Sequence, residues 1–250
     1  MRRSCPTLSA LLLLVGTALA APAAAQSAPP AQSGGITSPE AFLGHRVGAD
    51  RKLAPWPKVV EYFRLLDAAS ERVRLESAGT STSGEEMLVA VLTSERNQGN
   101  LERYREIART LARPDLHPGG LTPEQARALI AEGKVIALVT CSIHATEVGS
   151  TQMAMEFAHE VATTRDPAML SWLDDVILLL MPSINPDGQK LVIDWYQRQL
   201  GTPFEGGPMP WLYHPYVGHD NNRDFYMLTQ KESRAVNEVL YSRWFPQIFL

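Results

Sequence analysis

Two short runs of large apolar residues constrain the fold of this chain more than any other feature. One run reads KVIALVT from Lys134 to Thr140, and the other reads VILLLM from Val176 to Met181. Continuous apolar runs of this length are typical of strands that are buried on both faces of a sheet. The segment between them, from Glu147 to Ala162, has a helical pattern. Strands that alternate with helices predict an α/β fold, with a mixed, mostly parallel sheet and helices on both of its faces.

The residues before these runs predict the edge of the same sheet. A helical pattern from Trp56 to Ala69 is followed by an alternating strand from Arg72 to Ala78, a turn-rich loop from Gly79 to Gly84 and a denser apolar strand from Met87 to Thr93. Two strands joined by one short loop predict an antiparallel pair. The same patterns predict helices from Leu101 to Ala112, from the N-cap Thr122 onwards and from Glu232 to Trp244, and a last apolar strand from Phe245 to Leu250.

The first 25 residues have the three parts of a secretory signal peptide. Arg2 and Arg3 give a positive start, Leu8 to Ala20 is an uncharged apolar run, and Ala23 to Ala25 is a small-residue cleavage site. The apolar run is too short for a membrane anchor, because a spanning helix needs about 20 apolar residues. We therefore predict export to the periplasm or the extracellular space, a flexible leader at residues 26–38 and a single domain at residues 39–250.

Charge and cysteine content limit the expected partners and chemistry. Acidic residues outnumber basic ones, 27 to 23, and no basic patch stands out, so nucleic acid is not an expected partner. Of the two cysteines, Cys5 lies in the predicted signal peptide, which leaves Cys141 without an intramolecular disulfide partner. Cys141 ends an apolar strand, and we predict that its thiol packs in the core and takes no part in catalysis.

The first motif with chemical meaning is His144-Ala145-Thr146-Glu147, directly after the first apolar run. In sheets of this class, ligands bind beyond the carboxyl ends of the buried strands. An imidazole and a carboxylate three positions apart at a strand-to-helix corner can point to one place, and zinc binds both groups. The alternative is a surface histidine with a glutamate that is favoured by the positive end of a helix.

Two further motifs follow along the chain. The sequence NPDG, from Asn185 to Gly188, comes directly after the second apolar run, and each of its residues is typical of a turn. The segment from Gly218 to Phe225 (GHDNNRDF) is rich in polar groups, and the guanidinium of Arg223 can bind a carboxylate through two parallel hydrogen bonds. The alternative for this segment is a solvated loop in which Arg223 pairs with Asp220 or Asp224.

In this order, the three motifs resemble those of the zinc metallocarboxypeptidases, the carboxypeptidase A-like family. The resemblance extends over roughly Arg72 to Leu250 and includes the Gly79-Thr80 pair between the edge strands. It implies the fold of the N-terminal part of a zinc carboxypeptidase domain, incomplete at its C-terminal side. It also implies one bound zinc ion and a peptide or protein substrate with a free C-terminus.

The resemblance implies a role for five residues of this chain. His144 and Glu147 would be two of the zinc ligands. Asn222 and Arg223 would hold the C-terminal carboxylate of the substrate. Arg198, a little after NPDG, would polarise the carbonyl of the peptide bond that is cleaved.

The chain departs from the family pattern at several places. Thr146 stands where the family has an arginine inside the first motif. The third zinc ligand, a histidine, and the general-base glutamate are expected beyond Leu250, so residues 1–250 alone are expected to be inactive. Two histidines of the long loop, His214 and His219, are alternative metal ligands.

Two other functions are compatible with these motifs. One is a zinc-dependent deacylase of acyl-amino acids, of the aspartoacylase type, which shares the metal chemistry. The other is a carboxypeptidase-like domain that binds the ends of peptides without cleaving them.

Overall fold

The computed structural model describes residues 35–214 and 221–250. Three parts of the chain lie outside the described residues. They are the predicted signal peptide, most of the predicted leader, and residues 215–220, which include His219 and Asp220 at the start of the third motif. The described part contains a five-stranded sheet, with strands β1 (Val73–Thr80), β2 (Glu86–Leu92), β3 (Val135–Thr140), β4 (Val176–Met181) and β5 (Ile248–Phe249).

The order of the strands across the sheet is β1-β2-β4-β3-β5. The pairs β1–β2 and β2–β4 are antiparallel, whereas β3 pairs in parallel with both β4 and β5. All the described strands except β2 therefore run in one direction. This confirms the predicted mixed, mostly parallel sheet and the antiparallel pair at its edge.

Helices cover both faces of the sheet, as predicted. In chain order they are α1 (Pro39–Leu43), α2 (Trp56–Ala69), α3 (Glu95–Gln98), α4 (Leu101–Ala112), α5 (Pro123–Glu132), α6 (Gly149–Thr163), α7 (Pro167–Asp175), α8 (Pro186–Gln199) and α9 (Lys231–Glu238). Single 3₁₀ turns occur at Pro114–Leu116 and Asn221–Arg223, and a π-helix, Val239–Trp244, continues directly from α9.

Alternation along the strands divides the interior into two cores. In β4, Leu178 and Leu180 face one core, whereas Ile177, Leu179 and Met181 face the other. The first core is closed by α2 and α6, and the second by α4, α9 and the π-helix. Because both faces of β4 are covered, the strand consists of apolar residues only, which is the pattern in the sequence.

Several elements differ from the sequence predictions. The helix α6 begins at Gly149, so Glu147 precedes it and does not belong to it. The helix α7 was not predicted, although Asp166 caps it by accepting a hydrogen bond from Ala168 N–H at 3.2 Å. The strand β3 is only half-buried, because β5 pairs with it through two residues, Ala137 and Leu138.

Residues just before the predicted domain boundary at Pro39 contact the domain. Ile36 packs against the first core, and Tyr62 Oη donates a hydrogen bond to Thr37 O at 2.9 Å. Both residues fall within the predicted leader, residues 26–38. Their contacts with α2 fix the chain before α1 starts.

Cys141 is buried, and the burial raises the pKa of its thiol to about 11. A thiol in this environment stays protonated at neutral pH and is a poor nucleophile. This confirms the predicted packing role.

Among the described helices, none has the length and apolar character that crossing a membrane requires.

Candidate functional site

The first two motifs start side by side because the ends of β3 and β4 are joined. Cys141 N–H donates to Met181 O at 2.9 Å, and Ile184 N–H donates to Cys141 O at 3.0 Å. The strand β1 runs in the same direction as β4, so the turn between β1 and β2 lies at the same edge of the sheet. Three loops therefore meet beyond the carboxyl ends of the strands, where ligands bind in such sheets.

The loop that carries the first motif is fixed by hydroxyl groups. Ser142 adopts a left-handed conformation (φ 50°), which is uncommon outside glycine and turns the chain sharply away from β3. Its Oγ donates to Glu147 O at 3.2 Å, and Ser150 Oγ accepts from Ser142 N–H at 3.1 Å. Thr151 Oγ1 lies 2.7 Å from both Ser142 Oγ and Pro182 O. The strain at Ser142 is thus held by a connected set of hydrogen bonds.

This loop brings the side chains of His144 and Glu147 together. Nδ1 of the imidazole lies 3.2 Å from Oε1 of the carboxylate, and Glu147 N–H donates to His144 O at 2.9 Å. The two side chains are 29% and 66% exposed, so a solvated ion has access to both. The sequence prediction that spacing directs both groups to one place agrees with this geometry.

The pair fits two ligands of a zinc ion. Zinc holds nitrogen and oxygen ligands at about 2.0–2.2 Å in a tetrahedral arrangement, which sets two such atoms about 3.3 Å apart. The observed separation of 3.2 Å is that of a hydrogen bond between the two side chains, and it is also compatible with both atoms binding one ion. A neutral imidazole and a carboxylate are also the ligand types found in catalytic zinc sites.

Within residues 35–214 and 221–250, no group of three or more histidine, cysteine, aspartate or glutamate side chains is placed to hold a metal ion. In the described part of the chain, His144 and Glu147 therefore make up only two of the three protein ligands that a catalytic zinc site uses. Of the alternative ligands, His214 is buried and its ring contacts Tyr213 edge-on at 4.7 Å, whereas His219 lies outside the described residues.

The NPDG motif starts a helix, and the prediction of a simple turn was wrong. Asn185 is the N-cap of α8, and its Oδ1 accepts from Gly188 N–H at 3.0 Å. Pro186 occupies the first helical position, where its missing N–H has no consequence. Asn185 Nδ2 also donates to Ile143 O at 3.3 Å, next to His144. The second motif thereby supports the backbone of the first.

Gly188 is required by close contacts. A Cβ at this position would lie 2.6 Å from Tyr213 O and 2.7 Å from Asn185 Nδ2. We expect Gly188→Ala to lower the free energy of unfolding by about 1–3 kcal/mol, the usual cost of overpacking. Urea denaturation would measure it. The control is Gly149→Ala at the start of α6, where no atom lies within 4 Å of the added methyl group. Equal stability of the two variants would contradict this explanation.

Buried carboxylates connect the turn between β1 and β2 to this region. Asp187 is 5% exposed, and it accepts from Ser81 Oγ at 2.5 Å and from Ser83 N–H at 2.8 Å. Glu232, at the start of α9, is 1% exposed and accepts from Thr82 N–H at 2.7 Å. This role of the turn was not predicted, although its three consecutive hydroxyl residues, Ser81 to Ser83, are a usable signal in the sequence.

The third motif lies close to the ends of β3 and β5. Its described part begins with a 3₁₀ turn in which Asn222 and Arg223 are exposed. The buried Asp224 accepts from Thr229 N–H at 3.1 Å and from Gln230 N–H at 2.9 Å, so it organises the loop before α9.

Phe225 places this loop relative to the sheet. Its ring lies 6.4 Å from that of Phe249 in β5, and it packs against the same core as Ile143, the neighbour of His144. The third motif thus belongs to the same end of the sheet as the first.

Arg198 is not brought to His144 and Glu147. It lies in the last turn of α8, is exposed, and donates through Nε to Asp194 O at 3.2 Å. A helix rises 1.5 Å per residue, so Arg198 lies about 20 Å along α8 from Asn185. Arg198 therefore lies at the opposite end of α8 from the NPDG motif, which starts this helix.

The sequence matches a model of a known protein family. The sequence profile of the peptidase M14 family, the zinc carboxypeptidases, matches residues 59–243. Comparison with curated proteins gives no match.

Among solved structures, the chain is similar to carboxypeptidase A from Helicoverpa armigera, with 12% identity and a TM-score of 0.47 over 81% of this chain and 48% of that one. It is similar to thrombin-activatable fibrinolysis inhibitor, with 11% identity and a TM-score of 0.48 over 81% and 48%. It is also similar to a metallo-carboxypeptidase from Burkholderia cenocepacia, with 14% identity and a TM-score of 0.44 over 77% and 39%.

The chain spans about half the length of these structures or less. The family profile, in contrast, covers most of this chain and includes all three motifs. The match begins at Val59 in α2 and ends at Arg243 in the π-helix that follows α9. The protein therefore belongs to the zinc carboxypeptidase family.

Proposed function

We propose that this protein is a zinc-dependent metallocarboxypeptidase that removes C-terminal residues from peptides. The observation that carries the proposal is the separation of 3.2 Å between His144 Nδ1 and Glu147 Oε1 beyond the end of β3. This pair occurs in a chain of the zinc carboxypeptidase family, at the edge of the sheet where ligands bind.

His144 and Glu147 would hold the zinc ion. When bound, zinc supplies Lewis acidity for the negative charge that develops on the scissile carbonyl oxygen. The contribution of the protein is to fix the two ligands. Asn185 donates to the carbonyl of Ile143, and Ser142 donates to that of Glu147, so these hydrogen bonds would keep the two ligands in position for an ion.

Asn222 and Arg223 would bind the C-terminal carboxylate of the peptide. An arginine guanidinium matches a carboxylate with two parallel hydrogen bonds. Both side chains are exposed, so an incoming peptide can reach them. Because a main-chain carboxylate exists only at the end of a peptide, binding it there presents the last peptide bond to the metal and accounts for release from that end.

The third ligand and the general base are proposed to come from beyond Leu250. Thr140 N–H donates to Leu250 O at 2.8 Å, which places Leu250 beside the end of β3 and four positions before His144. A residue shortly after Leu250 would enter the same edge of the sheet. Residues 1–250 alone are accordingly expected to lack activity.

Export to the periplasm or the extracellular space is part of the same proposal. It is supported by the sequence of residues 1–25, which lie outside the described residues.

The function is tested with the full-length protein and matched peptide pairs. We expect release of the last residue from N-acetyl peptides with a free C-terminus, and no release from the same peptides with a C-terminal amide. A zinc chelator should abolish the reaction, and added zinc should restore it. Equal cleavage of the amides would contradict the proposal. Deacylation of N-acetyl amino acids without peptide cleavage would support the deacylase, and binding without cleavage would support the non-catalytic domain.

A further inference from the structure

The two halves of the candidate site are carried by loops that follow different elements. His144 and Glu147 lie between β3 and α6, whereas Asn222 and Arg223 lie in the 3₁₀ turn before α9. A peptide that binds to both halves at once must span the separation between them. This separation decides how many backbone atoms fit between the metal and the carboxylate-binding pair, so the parts of the fold that hold the two loops have to fix it.

The loop with the metal pair is connected to the first turn of α8. Asn185, the N-cap of this helix, donates through Nδ2 to Ile143 O at 3.3 Å, next to the histidine of the first motif. In the same helical turn, Asp187 accepts hydrogen bonds from the tip of the β1–β2 hairpin, at 2.5 Å from Ser81 Oγ and at 2.8 Å from Ser83 N–H. The backbone beside the metal pair is thus linked to the hairpin tip through one turn of α8.

The loop with the carboxylate-binding pair is connected to the first turn of α9. The buried Asp224, next to Arg223, accepts from Gln230 N–H at 2.9 Å, and Gln230 is the N-cap of α9. In the following turn, Glu232 accepts from Thr82 N–H at 2.7 Å and from Thr82 Oγ1 at 3.3 Å. This loop is therefore linked to the same hairpin tip.

The two links meet at neighbouring residues of the tip. Thr82 contacts α9 and Ser83 contacts α8, so the two contacts are adjacent in the chain. The tip itself is closed, because Ser81 N–H donates to Glu85 O at 2.8 Å and Ser81 Oγ accepts from Glu85 N–H at 2.9 Å. Hydrogen bonds to ionised carboxylates are also about twice as strong as those between neutral groups. A short, closed tip with such contacts on both sides leaves little freedom to change the separation between the starts of α8 and α9.

We propose that the hairpin tip, residues Ser81–Ser83, positions the metal pair relative to the carboxylate-binding pair and thereby limits cleavage to the last peptide bond. These are positioning residues, because they act through α8 and α9. The inference rests on the two pairs that the proposed function assigns. It differs from a merely structural role in one respect: a loosened tip changes the preferred spacing between the two halves, while each half keeps its own affinity.

The test measures this spacing with molecules of graded length. In ω-mercapto carboxylic acids with two to five methylene groups, the thiolate binds zinc and the carboxylate pairs with an arginine. Calorimetric titration of the zinc-loaded full-length protein gives the affinity of each acid and of the matched mercapto alcohol, which lacks the charge. Binding at two points strengthens the affinity by about 100-fold or more only where the length fits, so we expect one preferred length.

The main variant has one glycine inserted between Thr82 and Ser83, which separates the contacts of Glu232 and Asp187 along the chain. We expect the preferred length to increase by at least one methylene group, or the dependence on length to disappear. The advantage of the best acid over its matched alcohol should fall by about tenfold or more. Zinc content and the affinities of the mercapto alcohols should stay within about twofold, because the loop with the metal pair keeps its own hydrogen bonds.

The control has one glycine inserted between Gly119 and Gly120, in the exposed loop before α5. A Cβ at either position would meet no atom within 4 Å, so this loop has room for an added residue. The control should keep the preferred length and the affinities of the unmodified protein.

A second pair of variants tests the same contact without lengthening the chain. Asp187→Ala removes the acceptor of Ser81 Oγ–H and Ser83 N–H, whereas Asp187→Asn keeps an acceptor for Ser83 N–H and a donor for Ser81 Oγ. Asp187→Ala should weaken the dependence on length, and Asp187→Asn should restore most of it. If circular dichroism shows that the insertion variant does not fold, this pair decides the outcome.

The measurements separate the possible failures. If the preferred length exists and shifts with the insertion but no peptide is cleaved, the proposed function fails and the positioning role of the tip stands. If peptides are cleaved but the insertion and Asp187→Ala keep the original preferred length, the inference is overturned and the proposed function stands. The inference is also overturned if the unmodified protein has no preferred length, or if the variants weaken every acid and alcohol by the same factor.

Discussion

Replacement of His144 by alanine is expected to remove bound zinc from the full-length protein and to lower kcat/KM for peptide cleavage by about 1,000-fold or more. Loss of the ion removes a stabilisation of several kcal/mol in the transition state, and each 1.36 kcal/mol corresponds to a factor of ten. Glu147→Ala should have a similar effect. The double variant should be little worse than either single one, because both act through the same ion. Zinc content by mass spectrometry and rates on one tripeptide provide the measurements.

Two matched variants control for nonspecific effects. His117→Ala removes an exposed histidine, and Glu156→Ala removes an exposed glutamate on α6. Both should retain zinc and activity within about twofold, as surface substitutions generally have small effects. If the His144 and Glu147 variants retained their full zinc content, the ion would be held by other residues, and the assignment of the site would be wrong.

Asp187→Ala is expected to lower the free energy of unfolding by about 2–4 kcal/mol. The buried carboxylate accepts two hydrogen bonds from the turn between β1 and β2, and bonds to a charged group contribute about 1.5–3 kcal/mol each. Its removal also leaves Ser83 N–H without this acceptor. Urea denaturation should show a lower midpoint and an unchanged slope.

Asp194 provides the matched control on the same helix. It pairs with Lys190 at 2.7 Å, but the two side chains are 42% and 52% exposed, so Asp194→Ala should cost no more than about 0.5 kcal/mol. If Asp187→Ala and Asp194→Ala destabilise the protein equally, burial does not determine the strength of the contact with the turn.

The parts of the fold with local causes could be predicted closely from the sequence. The helices at Trp56–Ala69 and Leu101–Ala112 have the predicted bounds. The helix after Thr122 has the predicted capping box, in which Thr122 Oγ1 and the Gln125 side chain satisfy each other's backbone N–H groups. The strand Val176–Met181 also matches, because its two covered faces leave no room for polar residues.

Predictions failed where one sequence is compatible with two local structures. Asparagine, proline, aspartate and glycine are typical of turns, but the first two are equally suited to the N-cap and first position of a helix. The contacts of Asn185 with Ile143 O and of Asp187 with Ser81 decide between them, and both are distant in sequence.

The same difference between local causes and contacts that are distant in sequence applies to the candidate site. The separation of His144 and Glu147 depends on a short loop and follows from their spacing. The position of Arg198 depends on the direction and length of α8, which the turn prediction did not include.

The contacts of Asp187 and Glu232 with the turn between β1 and β2 also restrict how this protein can vary. Hairpin tips generally tolerate insertions and deletions, because their backbone is exposed and makes few contacts. Here the carboxylates bind the neighbouring N–H groups of Ser83 and Thr82 from two different helices. One residue added between these positions would separate the two contacts, so related proteins that retain both carboxylates should keep the length of this tip constant.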